Sequence, residues 1–202
     1  MTKRPQYYAL TPEVILNAGK EISDELSQAM YFFIYLTGCR VSEAKDFSIN
    51  RISYMDGYVR IEMKVLKTRD ESKMWRRALI PLEIDKCHEF EMWEFVKGYI
   101  KGFGSFDRPF TKWGNMSEYL KRHIVLVCEA KKKGMDGIWR DGKIEKPFHP
   151  HYLRICRATH LCEYYQFDSN DLCRFFGWSD PKMALRYTSQ ADVKQAFIKS
   201  KS

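Results

Sequence analysis

The apolar positions change period along the chain. Thr11-Pro12-Glu13 sets a capping hydroxyl before a proline suited to the first helical position, and a helix follows through Val14, Ile15 and Leu16 to about Ile22. A second helix begins near Ser23 and carries the apolar run Ala29 to Leu36. Gly38 stops it, as a left-handed C-terminal residue does, and Ser42-Glu43-Ala44 suggests a new short helix. The period then becomes two. Val59, Ile61, Met63 and Val65 alternate with Arg60, Glu62 and Lys64, giving one buried and one wet face. With Ile52 to Tyr54 and the Asp56-Gly57 pair between them, these residues predict a hairpin. A polar connection, Lys67 to Lys73, leads to a third strand around Arg77 to Leu82.

Helical spacing returns over about Ile84 to Lys101 and Met116 to Lys133. A loop rich in glycine and charge, Lys133 to Lys146, precedes a helix opened by Pro150 and running to about Tyr165. Asp171 to Phe176 forms a shorter helix ended by Gly177, and Ser179 and Pro181 start another that carries Tyr187. The reading is one α+β domain over 1–202, mainly α, with a small three-stranded antiparallel sheet. Residues 1–10 form an arm or linker and 188–202 a basic tail.

Composition narrows the partner. With 45% apolar residues in 202, a real core can be built. Lys and Arg number 34 against 26 acids, a formal charge of +8, which favours an anionic partner: nucleic acid or an acidic membrane surface. No stretch approaches the roughly 20 apolar residues of a membrane span. No apolar run follows the basic start Met1-Thr-Lys-Arg-Pro, so it is not a secretory signal. The six cysteines, at 39, 87, 128, 156, 162 and 173, include no C-x-x-C pair. They read as reduced, buried thiols of a cytoplasmic protein, zinc ligation being the minor alternative.

Four local settings bear chemistry, each with an ordinary reading beside it. Arg40 follows the Gly38 stop and precedes a new helix, so its side chain leaves a rigid junction; a surface pair with Glu43 is the ordinary reading. His151 and Arg154 lie three apart at a helix start, on one face and near a dipole end that favours anions; a capping histidine and a solvated arginine would look the same. Trp178 and Tyr187 flank a helix start and are also good core residues. Lys67 lies at the end of a strand, where solvated lysines are common.

Taken together, these settings resemble the tyrosine recombinase (phage integrase) family, catalytic domain. The boxes appear in the family's order: Thr37-Gly38-Cys39-Arg40-Val41-Ser42-Glu43, Lys67, His151-Tyr152-Leu153-Arg154, Gly177-Trp178 and Tyr187. Ile155 stands where many members have histidine, and the segment Thr68 to Arg76 is longer and more charged than usual, with Lys64 and Lys73 competing with Lys67. The resemblance implies site-specific cleavage and rejoining of double-stranded DNA through a 3′-phosphotyrosyl intermediate, without metal, cofactor or ATP. In it Tyr187 is the nucleophile, Arg40, Arg154 and Trp178 hold the phosphate, His151 takes the phenolic proton, Lys67 protonates the leaving oxygen, and Glu43 supports the arginines. The family also implies self-association on DNA in a tetrameric synapse, to which Val193, Ala196, Phe197 and Ile198 are one candidate contact, local packing being the other. The family's additional N-terminal helical domain is expected to be missing from these 202 residues. Topoisomerase IB-like nicking and resealing, or DNA binding without cleavage on the same fold, are the alternatives.

Overall fold

The computed structural model describes residues 10–66, 74–114, 137–140, 143–147 and 150–188, of which 137–140 and 143–147 are described as backbone only. Helix α1, Pro12–Lys20, begins as expected: Thr11 caps it through its side chain. Helix α2, Glu25–Thr37, starts two residues after Ser23, the expected start, because Asp24 supplies the cap to the Ser27 N–H. It is the centre of the molecule. Residues Ala29 to Leu36 are each at most 1% exposed. A helix apolar on every side has to be surrounded, and α2 is packed by α4, Glu89–Ile100, and by α5, Pro150–Tyr165. Its polar atoms are satisfied inside: the Tyr31 hydroxyl donates to the Ile15 carbonyl at 3.1 Å, and the Trp113 N–H donates to Ser27 Oγ at 3.2 Å.

The sheet is antiparallel in the order β1-β2-β3, with β1 Ile52–Met55, β2 Tyr58–Lys64 and β3 Trp75–Pro81. Its register pairs Val59 with Ile80, Ile61 with Ala78 and Met63 with Arg76, and all six side chains are buried. Alternation therefore places an arginine, Arg76, in the row that faces the core. The short helix α3, Val41–Asp46, lies between α2 and the sheet.

Three differences from the sequence reading have physical causes. Helix α4 begins at Glu89, not near Ile84. The Asp85 carboxylate accepts the Glu89 N–H, and His88 adopts a left-handed φ of 59°. That late start drops Glu89 into the core, where it meets Arg157 at 2.6 Å with both side chains fully buried. The expected loop from Lys133 to Lys146 contains a two-stranded ladder, β4 Gly137–Arg140 with β5 Lys143–Pro147. The strands are short and the residues charged, so their alternation is hard to see, although Asp141-Gly142 has the composition two-residue hairpin turns favour. Helix α6, Ser169–Phe176, starts two residues before Asp171 because Asp168 caps it. The expected helix at Met116 to Lys133 lies outside the described residues.

Both α2 and α6 end on a left-handed glycine, Gly38 at φ 60° and Gly177 at φ 66°. These are backbone conformations that cost other residues energy. The two ends touch: a methyl group at Gly38 would sit 2.2 Å from Cε1 of Phe176. Trp178 follows directly on one of these ends and Arg40 two residues after the other.

Candidate active site

Helix C-termini leave carbonyls without intrahelical partners and carry the negative end of the dipole. Two buried arginines answer that need here. From β3, Arg76 Nη1 donates to the carbonyls of Thr37, at 3.0 Å, and Phe175, at 2.7 Å. From α5, Arg154 donates to the next carbonyl of each helix end, Gly38 through Nη1 and Phe176 through Nη2 at 3.3 Å. The fork shape of guanidinium suits this bridging.

Arg40 leaves α2 two residues past Gly38 and caps α3. Glu43, one turn into α3, accepts the Arg40 backbone N–H through Oε2 at 3.0 Å and the Arg40 guanidinium through Oε1 at 2.6 Å. The same carboxylate lies 3.5 Å from Arg76 Nη2 and 3.9 Å from Arg154 Nη1. One buried carboxylate thus serves three guanidiniums, leaving an excess of positive charge. Of the three side chains, Arg40 is 28% exposed while Arg76 and Arg154 are nearly sealed, at 1% and 3%. Burial alone would raise the Glu43 carboxyl, but Arg76, the Arg40 N–H and Arg154 together hold it below the ordinary value. Burial, and then the neighbouring Arg76, push Arg154 down to about 9, still charged at neutral pH.

On the other side of Arg154 a ladder of rings begins. Its guanidinium carbon lies 4.7 Å from the centre of Phe176. Phe176 stacks on Trp178 at 4.6 Å and 13°, and Trp178 on Tyr187 at 5.6 Å and 15°. Tyr187 belongs to the helical stretch 181–188, which is seated through buried Ala184 and Thr188. Arg40, Glu43, Arg154, Trp178 and Tyr187 are therefore joined by direct contacts, as the motif order implies.

His151 occupies the first turn of α5 and is exposed, one turn ahead of Arg154, which is buried. The expectation that both project together is met only in part, since α5 is buried from Tyr152 to Cys162. Lys67 and the tail residues Val193, Ala196, Phe197 and Ile198 lie outside the described residues. Arg76 is the residue that sequence reasoning missed. The period-two pattern was its signal, because it falls in the inward row with Ala78 and Ile80. Among the described residues no group of three or more His, Cys, Asp or Glu gathers to hold a metal, and no helix is long and apolar enough to cross a membrane. Cys39, Cys87 and Cys156 are buried, and burial pushes each thiol up to about 12.

The model of the phage integrase family matches residues 11–194. The chain belongs to that family. As a family member it is similar to tyrosine recombinase XerD of Bifidobacterium longum, 28% identical over 144 residues that cover 67% of this chain and 41% of that one. It is also similar to XerD of Chlamydia trachomatis, 30% identical over 156 residues that cover 74% and 44%. The chain thus spans less than half the length of these curated relatives. Among solved structures, XerA recombinase superposes with a TM-score of 0.60 at 17% identity, covering 99% of this chain and 66% of that one. XerH recombinase bound to its difH substrate in a pre-cleavage complex gives 0.60 at 16%, covering 89% and 49%. A lambda integrase dimer bound to a core site gives 0.53 at 18%, covering 93% and 49%. These likenesses confirm the expected fold, mainly helical with a three-stranded antiparallel sheet.

Proposed function

We propose that this chain cleaves and rejoins double-stranded DNA at specific sites through a covalent bond between Tyr187 and a 3′ phosphate. The observation that carries the reading is the ring ladder. It connects the proposed nucleophile to a guanidinium cluster that one carboxylate only partly neutralises. A phosphodiester resists attack because it is anionic, so catalysis needs charge neutralisation, a positioned nucleophile and a proton for the leaving oxygen.

In this reading Arg40 and Arg154 donate to the nonbridging oxygens. A guanidinium has five N–H donors, and the carbonyls of Gly38 and Phe176 take two of those on Arg154. The Trp178 N–H adds a third group to the phosphate. The Tyr187 oxygen attacks phosphorus while His151 accepts the phenolic proton. The bond to the 5′ oxygen breaks and that oxygen takes a proton from Lys67. The reverse attack by a 5′ hydroxyl restores the backbone and the phenol. Bond energy is conserved in the phosphotyrosyl link, so no ATP enters the scheme, and the guanidiniums supply the positive charge that a metal ion would otherwise bring. Glu43 holds the arginines without reacting.

The formal charge of +8 suits a DNA duplex, and the similar XerH and lambda integrase structures are DNA complexes. Self-association on DNA belongs to the same reading, as does action on DNA in the cytoplasm. The test is incubation with nicked duplexes carrying candidate sites, followed by denaturing electrophoresis. A protein–DNA adduct is expected with the native chain and not with Tyr187→Phe. An adduct that persists in Tyr187→Phe would overturn the assignment.

A further inference from the structure

Arg76 has no role in the chemistry above, yet it is bonded to the elements that carry Arg40, Glu43 and Trp178. Its side chain is only 1% exposed, so it cannot reach a duplex. Its two carbonyl acceptors, Thr37 and Phe175, each lie three residues before a proposed phosphate ligand, Arg40 and Trp178 respectively. Its Nη2 lies 3.5 Å from the Glu43 oxygen that also accepts the Arg40 N–H. A methyl at Gly177, the residue before Trp178, would come within 3.1 Å of its Cδ. One side chain from the sheet therefore fixes the separation of the two helix ends and the carboxylate between them.

Stability alone is a poor account of it. Arg76 Nε and Nη2 are buried and make no hydrogen bond in the described structure. A buried charge with an incomplete set of partners is commonly less stabilising than an apolar side chain of the same size. Its position in the row with Ala78 and Ile80 would suit such a side chain.

We propose that Arg76 is a positioning residue: it holds Glu43, and through Glu43 the Arg40 guanidinium, in register with Arg154 and Trp178 around one scissile phosphate. The inference rests on the function proposed above. It requires that loss of Arg76 slow cleavage more than it weakens DNA binding, and that the loss depend on Glu43.

The experiment is a double-mutant cycle on single-turnover adduct formation at saturating nicked DNA, using Arg76→Met, Glu43→Gln and the pair, with DNA affinity and thermal unfolding measured on each. A misplacement of this kind slows chemistry by up to about 100-fold. Arg76→Met is expected to fall by about 30- to 100-fold with affinity within about threefold. In the Glu43→Gln background the same change should cost less than about tenfold. Arg76→Lys keeps the charge but not the fork, and should recover part of the rate; if Arg76→Met does not fold, the cycle is run with Lys. A cost undiminished in the Glu43→Gln background, or matched by lost affinity, overturns the proposal while leaving the parent reading intact. If the native chain forms no Tyr187-dependent adduct, the parent reading fails and this proposal with it.

Discussion

The stack between Trp178 and Tyr187 can be given a magnitude. Trp178 stacks with Phe176, at 4.6 Å, and with Tyr187, at 5.6 Å, both within 15° of parallel. Each such aromatic pair contributes about 0.5–1.5 kcal/mol beyond the area it buries. Replacing Trp178 by leucine removes two pairs, about 1–3 kcal/mol, and also removes the indole N–H. Replacing it by phenylalanine keeps a ring between Phe176 and Tyr187 and removes the N–H. The ratio of the two variants isolates the stack. If the pair with Tyr187, about 0.5–1.5 kcal/mol, goes into seating the nucleophile, Trp178→Leu should form adduct more slowly than Trp178→Phe by about 2- to 12-fold, since 1.4 kcal/mol is tenfold in rate. The assay is single-turnover adduct formation at saturating DNA, with thermal unfolding recorded to confirm that both variants are folded. Equal rates for Phe and Leu would refute the idea that ring stacking seats Tyr187, whatever each variant loses against the native protein.

Three further outcomes are expected. His160 is buried, and burial lowers its pKa to about 4, so it is neutral in the fold; its Nε2–H then donates to the Leu10 carbonyl and Nδ1 accepts from the Tyr35 hydroxyl. The unfolded chain binds the extra proton first, so stability is intact above pH ~6.5 and falls by about 3 kcal/mol toward pH 4; denaturant titrations of native and His160→Gln chains should diverge over that window and coincide in slope above it. Glu89→Gln leaves Arg157 buried without its counter-charge and should cost about 3–5 kcal/mol in urea unfolding, most of it recovered when Arg157→Met is added. DNA affinity should fall steeply with salt, by about 0.9 in log K per log salt for each phosphate neutralised; a flat response in a binding titration would count against a duplex partner.

Much of this was legible because punctuation residues are local. Pro150 opens α5, Gly38 and Gly177 close α2 and α6 in the left-handed region, and the alternation through Val59, Ile61 and Met63 gives β2 its inward face. The motif residues Arg40, Glu43, Arg154, Trp178 and Tyr187 were named from order and setting, and they meet. What escaped was tertiary. A charged residue reads as solvated, so the sequence pattern puts Arg76 at the edge of the polar connection, although its burial follows from the register with Met63. Likewise Arg157 and Glu89 look like surface residues of two helices. Only the packing of α4 on the core makes them a buried pair, boxed by Tyr35, Tyr165 and Phe175. The ladder of β4 and β5 was hidden because strands this short, rich in charge, carry too few apolar residues to display a period.

The seating of stretch 181–188 has a consequence for control. The arginines are anchored by two helix ends and a strand, whereas the stretch that carries Tyr187 packs on the apolar core through the ring of that residue and is buried at Ala184 and Thr188, with Met183, Leu185 and Arg186 turned to solvent. In the proposed function the phosphate-holding arginines and the nucleophile therefore belong to separate pieces of backbone. On that reading, an effector or neighbouring protomer would arm or disarm strand cutting by shifting stretch 181–188 alone, while the arginines keep their hold on the phosphate.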